Sequence, residues 1–438
     1  MAKLHNHENK RVKLNNDMFP DRLVPNLLNE IEIVPMDTAF HPSRYLVKAG
    51  EGKNLEISET YYHLIGLIDG KRSVEEISIE LKEKFSIDIP PHEIKRIIET
   101  SLVSSGIAKS DLNGRKTTHS RSYLSYKHPL LLQRSLLPFT KMLQILFEKH
   151  LFTFLVSVAL VFEILFYFVF RDPLISIIKI SGNDLIISYI VFFLSSLFHE
   201  LGHLSACQRY GALYKEMGIG IYFYFPVFYS DVTDAWKLKR KQRAVVDFGG
   251  VYFQLLLLPF LQVLHVITGS AAFIFVIYFL NLNIAATLNP FLRFDGYWLL
   301  SDLLGVPNLR KRSKEMVTYW SASIFRKRAK KPYFMSKLQE RTLYYLFTYT
   351  IVCNIFFIFF AIRLLDQFTL AMFSYHALIN DVAVSYREGV GAFFSSITKF
   401  FFVNFIIFSV GLMISRWLWG VANRIITVAK RMRMVNYS

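Results

Sequence analysis

The chain is expected to be a mainly α-helical, polytopic membrane protein of about six transmembrane helices with a small N-terminal α+β, winged-helix-like domain. Four observations point there. Of its 438 residues 53% are hydrophobic and 16% aromatic, 41 of them Phe, with a mean hydropathy of +0.30. The charged fraction, 19%, falls short of the roughly 25% of a soluble domain. The apolar residues gather in blocks close to the ~20 residues needed to cross the hydrocarbon core. Residues 38–112 break with this pattern and read as a short soluble fold.

The elements follow in order. Residues 1–37 form an N-terminal arm. Met1 to Asp17 is polar with no apolar core, so no cleavable signal peptide is expected and the first span would direct insertion. Tyr45–Lys48 and Asn54–Ile57 read as strands around the turn Ala49-Gly50-Glu51-Gly52. Ser58 and Glu59 open a helix bearing Tyr62, Ile65 and Leu67 that ends near Asp69-Gly70. Ser73 stands three residues before Glu76, the spacing of a capping box. Its helix carries Ile77, Leu81 and Phe85, and a third helix after Pro90-Pro91 carries Ile94, Ile97, Ile98 and Leu102. A hairpin with three short helices is a winged-helix arrangement.

A basic linker is expected over 113–150, a membrane domain over 151–421 and a basic tail over 422–438. Spans fall near 151–170, 185–206, 245–267, 271–293, 343–363 and 397–419. Loop charge orients them. The segment before the first span, the loop 207–244 and the loop 307–342 are rich in Lys and Arg. The loop 171–184 is balanced, and 364–396 holds only Arg387 among its Lys and Arg. This alternation places both termini in the cytoplasm of a multi-pass cell-membrane protein. The net charge of +17 is then accounted for by cytoplasmic loops beside an anionic lipid bilayer, and no nucleic-acid partner is expected. Cys207 and Cys353 lie in or beside apolar runs and imply no disulfide framework.

His199-Glu200-Leu201-Gly202-His203 carries the chemistry. Two His at i and i+4 project from one helix face, the spacing Zn²⁺ needs from two helical ligands, and Glu200 can reach a water on the metal. Ionisable groups at the end of an apolar run are costly and usually functional. A hydrolytic zinc site wants a third protein ligand. The best candidate is Asp295, in Asn289-Pro290-Phe291-Leu292-Arg293-Phe294-Asp295-Gly296 at the end of the fourth span, where Pro290 interrupts the helix. The topology brings both segments to the cytoplasmic ends of their spans. Cys207, four residues after His203, is the rival, but three ligands from one straight helix cannot easily surround a tetrahedral ion. Asn289, Asn281 or Asn283 could hydrogen-bond a substrate or tie helices together. Residues 218–228, GIGIYFYFPVF, could form a hairpin that pairs with an extended substrate or an interfacial aromatic belt. Gly249-Gly250 most simply permits close helix packing.

The paired motifs in two spans resemble the site-2 protease family of intramembrane zinc metallopeptidases. Leu67 to Ile77, LIDGKRSVEEI, resembles the PqqD-like peptide-binding domain of peptide-maturation systems. NPFLRFDGYWLLSD, from Asn289 to Asp302, joined to that module, looks like the peptide zinc metalloproteases found with peptide-modifying enzymes. The resemblance implies zinc ligands His199, His203 and Asp295, Glu200 as catalytic base, and a leader peptide held by residues 38–112. The family's commoner pattern has a longer Asn-to-Asp spacing, a second proline and a Leu before the Asp. Here Phe294 stands there, which bears on a substrate-orienting role for Asn289 more than on Asp295. The expected activity is cleavage of a ribosomally made, modified precursor peptide. Regulated cleavage of a membrane-anchored signalling protein, and non-catalytic peptide binding or export, are the alternatives.

Overall fold

The computed structural model describes residues 24–27, 31–40, 44–49, 53–103, 105, 107–108, 124, 126–169, 182–222, 225–324, 331–389 and, with short interruptions, 392–419. The chain divides into two compact units. One comprises Met1–Tyr126 with Ile221–Phe225 and Trp236–Lys239; the other comprises Lys127–Gly220, Pro226–Ala235 and Arg240–Ser438.

In the first unit, the head, strands β1 (Ile31–Met36), β2 (Arg44–Ala49) and β3 (Lys53–Ser58) form an antiparallel sheet in the order β1-β2-β3. Ile33, Val47 and Leu55 share one register position. β1 lies inside the stretch read from sequence as an arm. Pro35 interrupts its alternation, and a strand with Pro belongs at a sheet edge, where β1 sits.

Helices α1 (Glu59–Leu67), α2 (Val74–Phe85) and α3 (Pro91–Ile97) follow, α3 widening into a π-type turn to Val103. The Asp69 carboxylate accepts the N–H groups of Lys71 and Arg72, which turns the chain and holds that carboxyl below its usual range. The capping box forms: Ser73 Oγ accepts the Glu76 N–H and the Glu76 carboxylate accepts the Ser73 N–H. Ile77, Leu81, Ile94 and Leu102 close the core with Val47 and Leu64.

The second unit, the body, begins within the stretch expected to be a linker. Residues 126–147 form β4 (Tyr126–Leu132), α4 (Gln133–Leu143) and a 3₁₀ turn, Gln144–Phe147. Then come α5 (Lys149–Val169), α6 (Gly182–Tyr210), β5 (Glu216–Tyr222), β6 (Phe225–Ser230), α7 (Arg240–Thr268), α8 (Ala271–Thr287), α9 (Asp295–Leu304), α10 (Leu309–Ile324), α11 (Glu340–Phe373) and α12 (Tyr375–Glu388). Strands β4, β5 and β6 pair in that order.

Among the described residues, four helices are long and apolar enough to cross a membrane: Lys149–Val169, Asn183–Tyr210, Arg240–Thr268 and Glu340–Phe373. The expected span 271–293 stops at Thr287, a 17-residue helix, because Pro290 cannot continue it. The span expected over 397–419 corresponds to a shorter apolar helix, Ser396–Leu412. Half of the apolar window of α7 is buried, against 11% of that of α5, so α7 is the central helix and α5 lies outside. A polar tie joins α5, α7 and α8: the Glu163 carboxylate accepts the side-chain amides of Gln262 and, at 3.0 Å, Asn281. The tail 422–438 and most of the arm lie outside the described residues.

Candidate metal centre

His199, Glu200 and His203 sit in the third quarter of α6, whose inner face is lined by small residues. Ser195, Ser205, Ala206 and Cys207 are wholly buried there. Gly202 lets α6 approach α7 backbone to backbone: a Cβ at Gly202 would overlap the Gly249 carbonyl, and one at Gly249 would come within 2.8 Å of the Gly202 carbonyl oxygen. A Cβ at Gly250 would strike the His199 ring itself. The Gly249-Gly250 pair therefore does what its sequence suggested, and also makes the space that His199 occupies.

α7 also orients the other histidine. His203 Nδ1 donates to the Val246 carbonyl at 2.7 Å, which leaves its Nε2 bare and facing inward, the usual device for fixing a ligand tautomer. The third group arrives from the break after α8. The Asn289 carboxamide oxygen accepts the Phe291 N–H at 2.9 Å, turning the chain around Pro290 so that α9 opens at Asp295. Gly296 has no room for a side chain against the Leu288 carbonyl, so the two ends of the turn are pressed together and Asp295 is fixed.

The three groups meet. His199 Nε2 lies 3.0 Å and His203 Nε2 3.3 Å from Asp295 Oδ2, and the two ring nitrogens are 3.1 Å apart. Ligands ~2 Å from a tetrahedral zinc ion stand about 3.3 Å from one another; the triangle fits. Asp295 Oδ2 is buried and aligned with neither ring as a hydrogen bond, as befits donor atoms converging on a shared cation. His199, His203 and Asp295 are the one group of three or more potential ligands found among the described residues. Cys207 is buried but outside it. Glu200, between the histidines, is 9% exposed.

The other Asn candidates serve helix packing. Asn281 binds Glu163 and the Tyr167 hydroxyl, and Asn283 accepts from Gln254 at 3.4 Å. Of residues 218–228, 218–222 lie in β5 and 225–228 in β6 of the β5–β6 hairpin, and 223–224 lie outside the described residues. The hairpin is closed by the Lys215 N–H on the Asp231 carbonyl (3.2 Å) and the Asp231 N–H on that of Glu216 (3.0 Å). Its Phe228 ring lies edge-on to Phe193 of α6 at 5.0 Å.

One supporting group escaped the sequence reading. Arg243 and Asp302, both buried, pair at 2.8 Å and join α7 to α9. Asp302 is seven residues, two turns, after Asp295 and so shares its helix face. Asp247, one turn after Arg243, keeps a buried carboxylate oxygen without a hydrogen bond. Charges at four-residue spacing at the edge of an apolar run were the available signal.

No protein-family model matches the chain, and no solved structure matches it. A curated protein of Bacillus subtilis (strain 168), "Putative peptide zinc metalloprotease protein YydH", is 28% identical over 137 residues, 31% of this chain and 53% of that protein. The chain thus spans about half the length of this relative. Its name speaks for zinc and proteolysis, and the donor set of this chain suits the same metal.

Proposed function

We propose that this protein is a membrane-embedded zinc metallopeptidase that cleaves a ribosomally made, modified precursor peptide. The observation that carries the reading is the triangle of His199 Nε2, His203 Nε2 and Asp295 Oδ2, with separations of 3.0 to 3.3 Å. His199, His203 and Asp295 would hold the ion. Zinc, when bound there, supplies a Lewis acid for the scissile carbonyl and lowers the pKa of a water. Glu200 takes the proton from the attacking water and returns it to the leaving amine. Val246 holds His203 in register, and the Gly202–Gly249 contact keeps both histidines against α7.

The remaining parts of the reading concern the substrate. β6 is an outer strand of its sheet and touches α6 through Phe228 and Phe193, so an extended peptide added at its open edge would lie along the metal helix. Asn289 could offer its amide nitrogen to that peptide, since its oxygen is engaged by the chain. The head would hold the leader peptide by strand addition, as its PqqD-like sequence implies. In the membrane, α8 and Ser396–Leu412 would complete six spans, with both termini cytoplasmic as the loop charges suggest.

The test is metal analysis of the purified chain, followed by incubation with peptides encoded by neighbouring genes. Glu200→Gln is expected to retain zinc while cleavage falls by about 10²–10⁴-fold, the usual contribution of a general base. Wild-type protein without zinc, or a Glu200→Gln variant that cleaves normally, would sink the reading.

A further inference from the structure

The stretch from Lys127 to Phe147 has two apolar sides, of which only one is covered. On the inner side Leu136 and Thr140 are buried one turn apart, and the Thr140 hydroxyl meets the Tyr214 hydroxyl at 2.6 Å. Phe147 is buried against Tyr252 at 5.2 Å, and the Tyr252 hydroxyl donates to the Leu146 carbonyl at 2.9 Å. The element is therefore firmly built into the body.

On the outer side Phe139, Met142 and Ile145 follow one another at three-residue spacing and are 55%, 65% and 64% exposed. Leu130, Leu131 and Leu132 of β4 are also exposed. An exposed apolar side of this kind marks an interaction surface.

Two features of the chain identify what covers it. Residues 127–147 contain Lys127, Arg134 and Lys141 and no Asp or Glu, so the charge along the patch itself is positive. The acidic residue that follows is Glu148, whose carboxylate accepts the His150 and Leu151 N–H groups at the start of α5. Two residues after Phe147, α5 begins at Lys149, the most apolar of the four helices able to span a bilayer. The patch cannot lie far from the membrane surface at which α5 enters. A helix whose uncovered side is apolar, with Lys and Arg beside it and a span directly following, suits the plane of the interface.

We infer that residues 127–147 form an in-plane collar at the headgroup–acyl boundary of the leaflet where α5 enters. Phe139, Met142 and Ile145 rest among the upper acyl carbons, and Lys127, Arg134 and Lys141 meet anionic headgroups. This inference rests on the membrane reading above and adds a second mode of lipid contact to it. The collar also reaches the metal helix: Phe147 stacks on Phe253 at 5.7 Å, and Phe253 packs on Phe198, the neighbour of His199, at 4.6 Å.

The test uses the full chain, reconstituted into phosphatidylcholine vesicles with and without phosphatidylglycerol. Spin labels are placed singly at Met142→Cys and Ile145→Cys, with Phe154→Cys on the outside of α5 and Glu83→Cys on the head as lipid and water controls. Collision with oxygen relative to a water-soluble nickel complex reads depth. The collar predicts ratios at 142 and 145 several-fold above that at 83, rising further with phosphatidylglycerol. Arg134→Glu with Lys141→Glu should abolish that further rise. Ratios at 142 and 145 equal to that at 83, with 154 in lipid, would overturn the collar and leave the membrane reading standing. Labels shielded from both reagents would mean a protein covers the patch, and would equally overturn it. A water-like ratio at 154 would overturn the membrane reading and the collar together.

Discussion

In the head, Val47, Leu64, Ile77, Leu81, Ile94 and Leu102 are at or near zero exposure, and charged residues such as Lys82 and Lys84 lie outside. In the body, Phe154, Ile164 and Phe168 face outward, while Gly202, Gly249, Ser205, Gln254, Gln262 and Arg243 are inside. The head is held by removing apolar surface from water. The body's spans gain little that way, since lipid tails are as apolar as leucine. They depend on close backbone approach and on polar ties. Substitutions should therefore act by different rules in the two regions.

The largest effect is expected at Gly202. A side chain there meets the Gly249 backbone, which cannot yield, so Gly202→Val should part α6 from α7 and reduce the zinc content of the purified chain to background. Full zinc in that variant would break the comparison at its base. Next comes the buried tie. Asp302→Ala removes the 2.8 Å ion pair with Arg243 from a buried site, at a cost of about 3–5 kcal/mol, read as a lowered thermal midpoint of the body. In the head, Leu64→Ala should cost about 2–5 kcal/mol, seen as faster hydrogen exchange of head amides with zinc content unchanged. The smallest effect is at the capping box: Ser73→Ala should cost about 0.5–2 kcal/mol, confined to amide exchange in α2. Loss of zinc from either head variant would show that the two regions are not energetically separate.

Much of this was legible because the chemistry depends on short spacings. The i, i+4 histidines, the Asn-Pro break before Asp295 and the Ser73–Glu76 box are each settled within a turn or two, and each forms as read. Less local features were harder. β1 was missed because Pro35 disrupts its alternation, and an edge strand is recognisable only once its neighbour is in place. The strand and helix over 126–147 resembled a linker because their basic residues outweighed a helical pattern with apolar residues on both sides. The fourth expected span illustrates another limit: a window of hydropathy counts apolar residues across Pro290, whereas the helix must stop before it. The Arg243–Asp302 pair spans 59 residues of sequence, and neither residue alone announces the other.

One turn of α7 has a further consequence. Within an α-helix the Val246 carbonyl also receives the N–H of the residue four positions on, which is Gly250. The same turn thus grips His203 through a carbonyl and seats His199 through a missing side chain. The two imidazoles are not independent fingers closing on an ion. They are cast against a single mould, so any tilt or slide of α7 moves both together, and the Arg243–Asp302 pair ties the helix that carries Asp295 to the same mould.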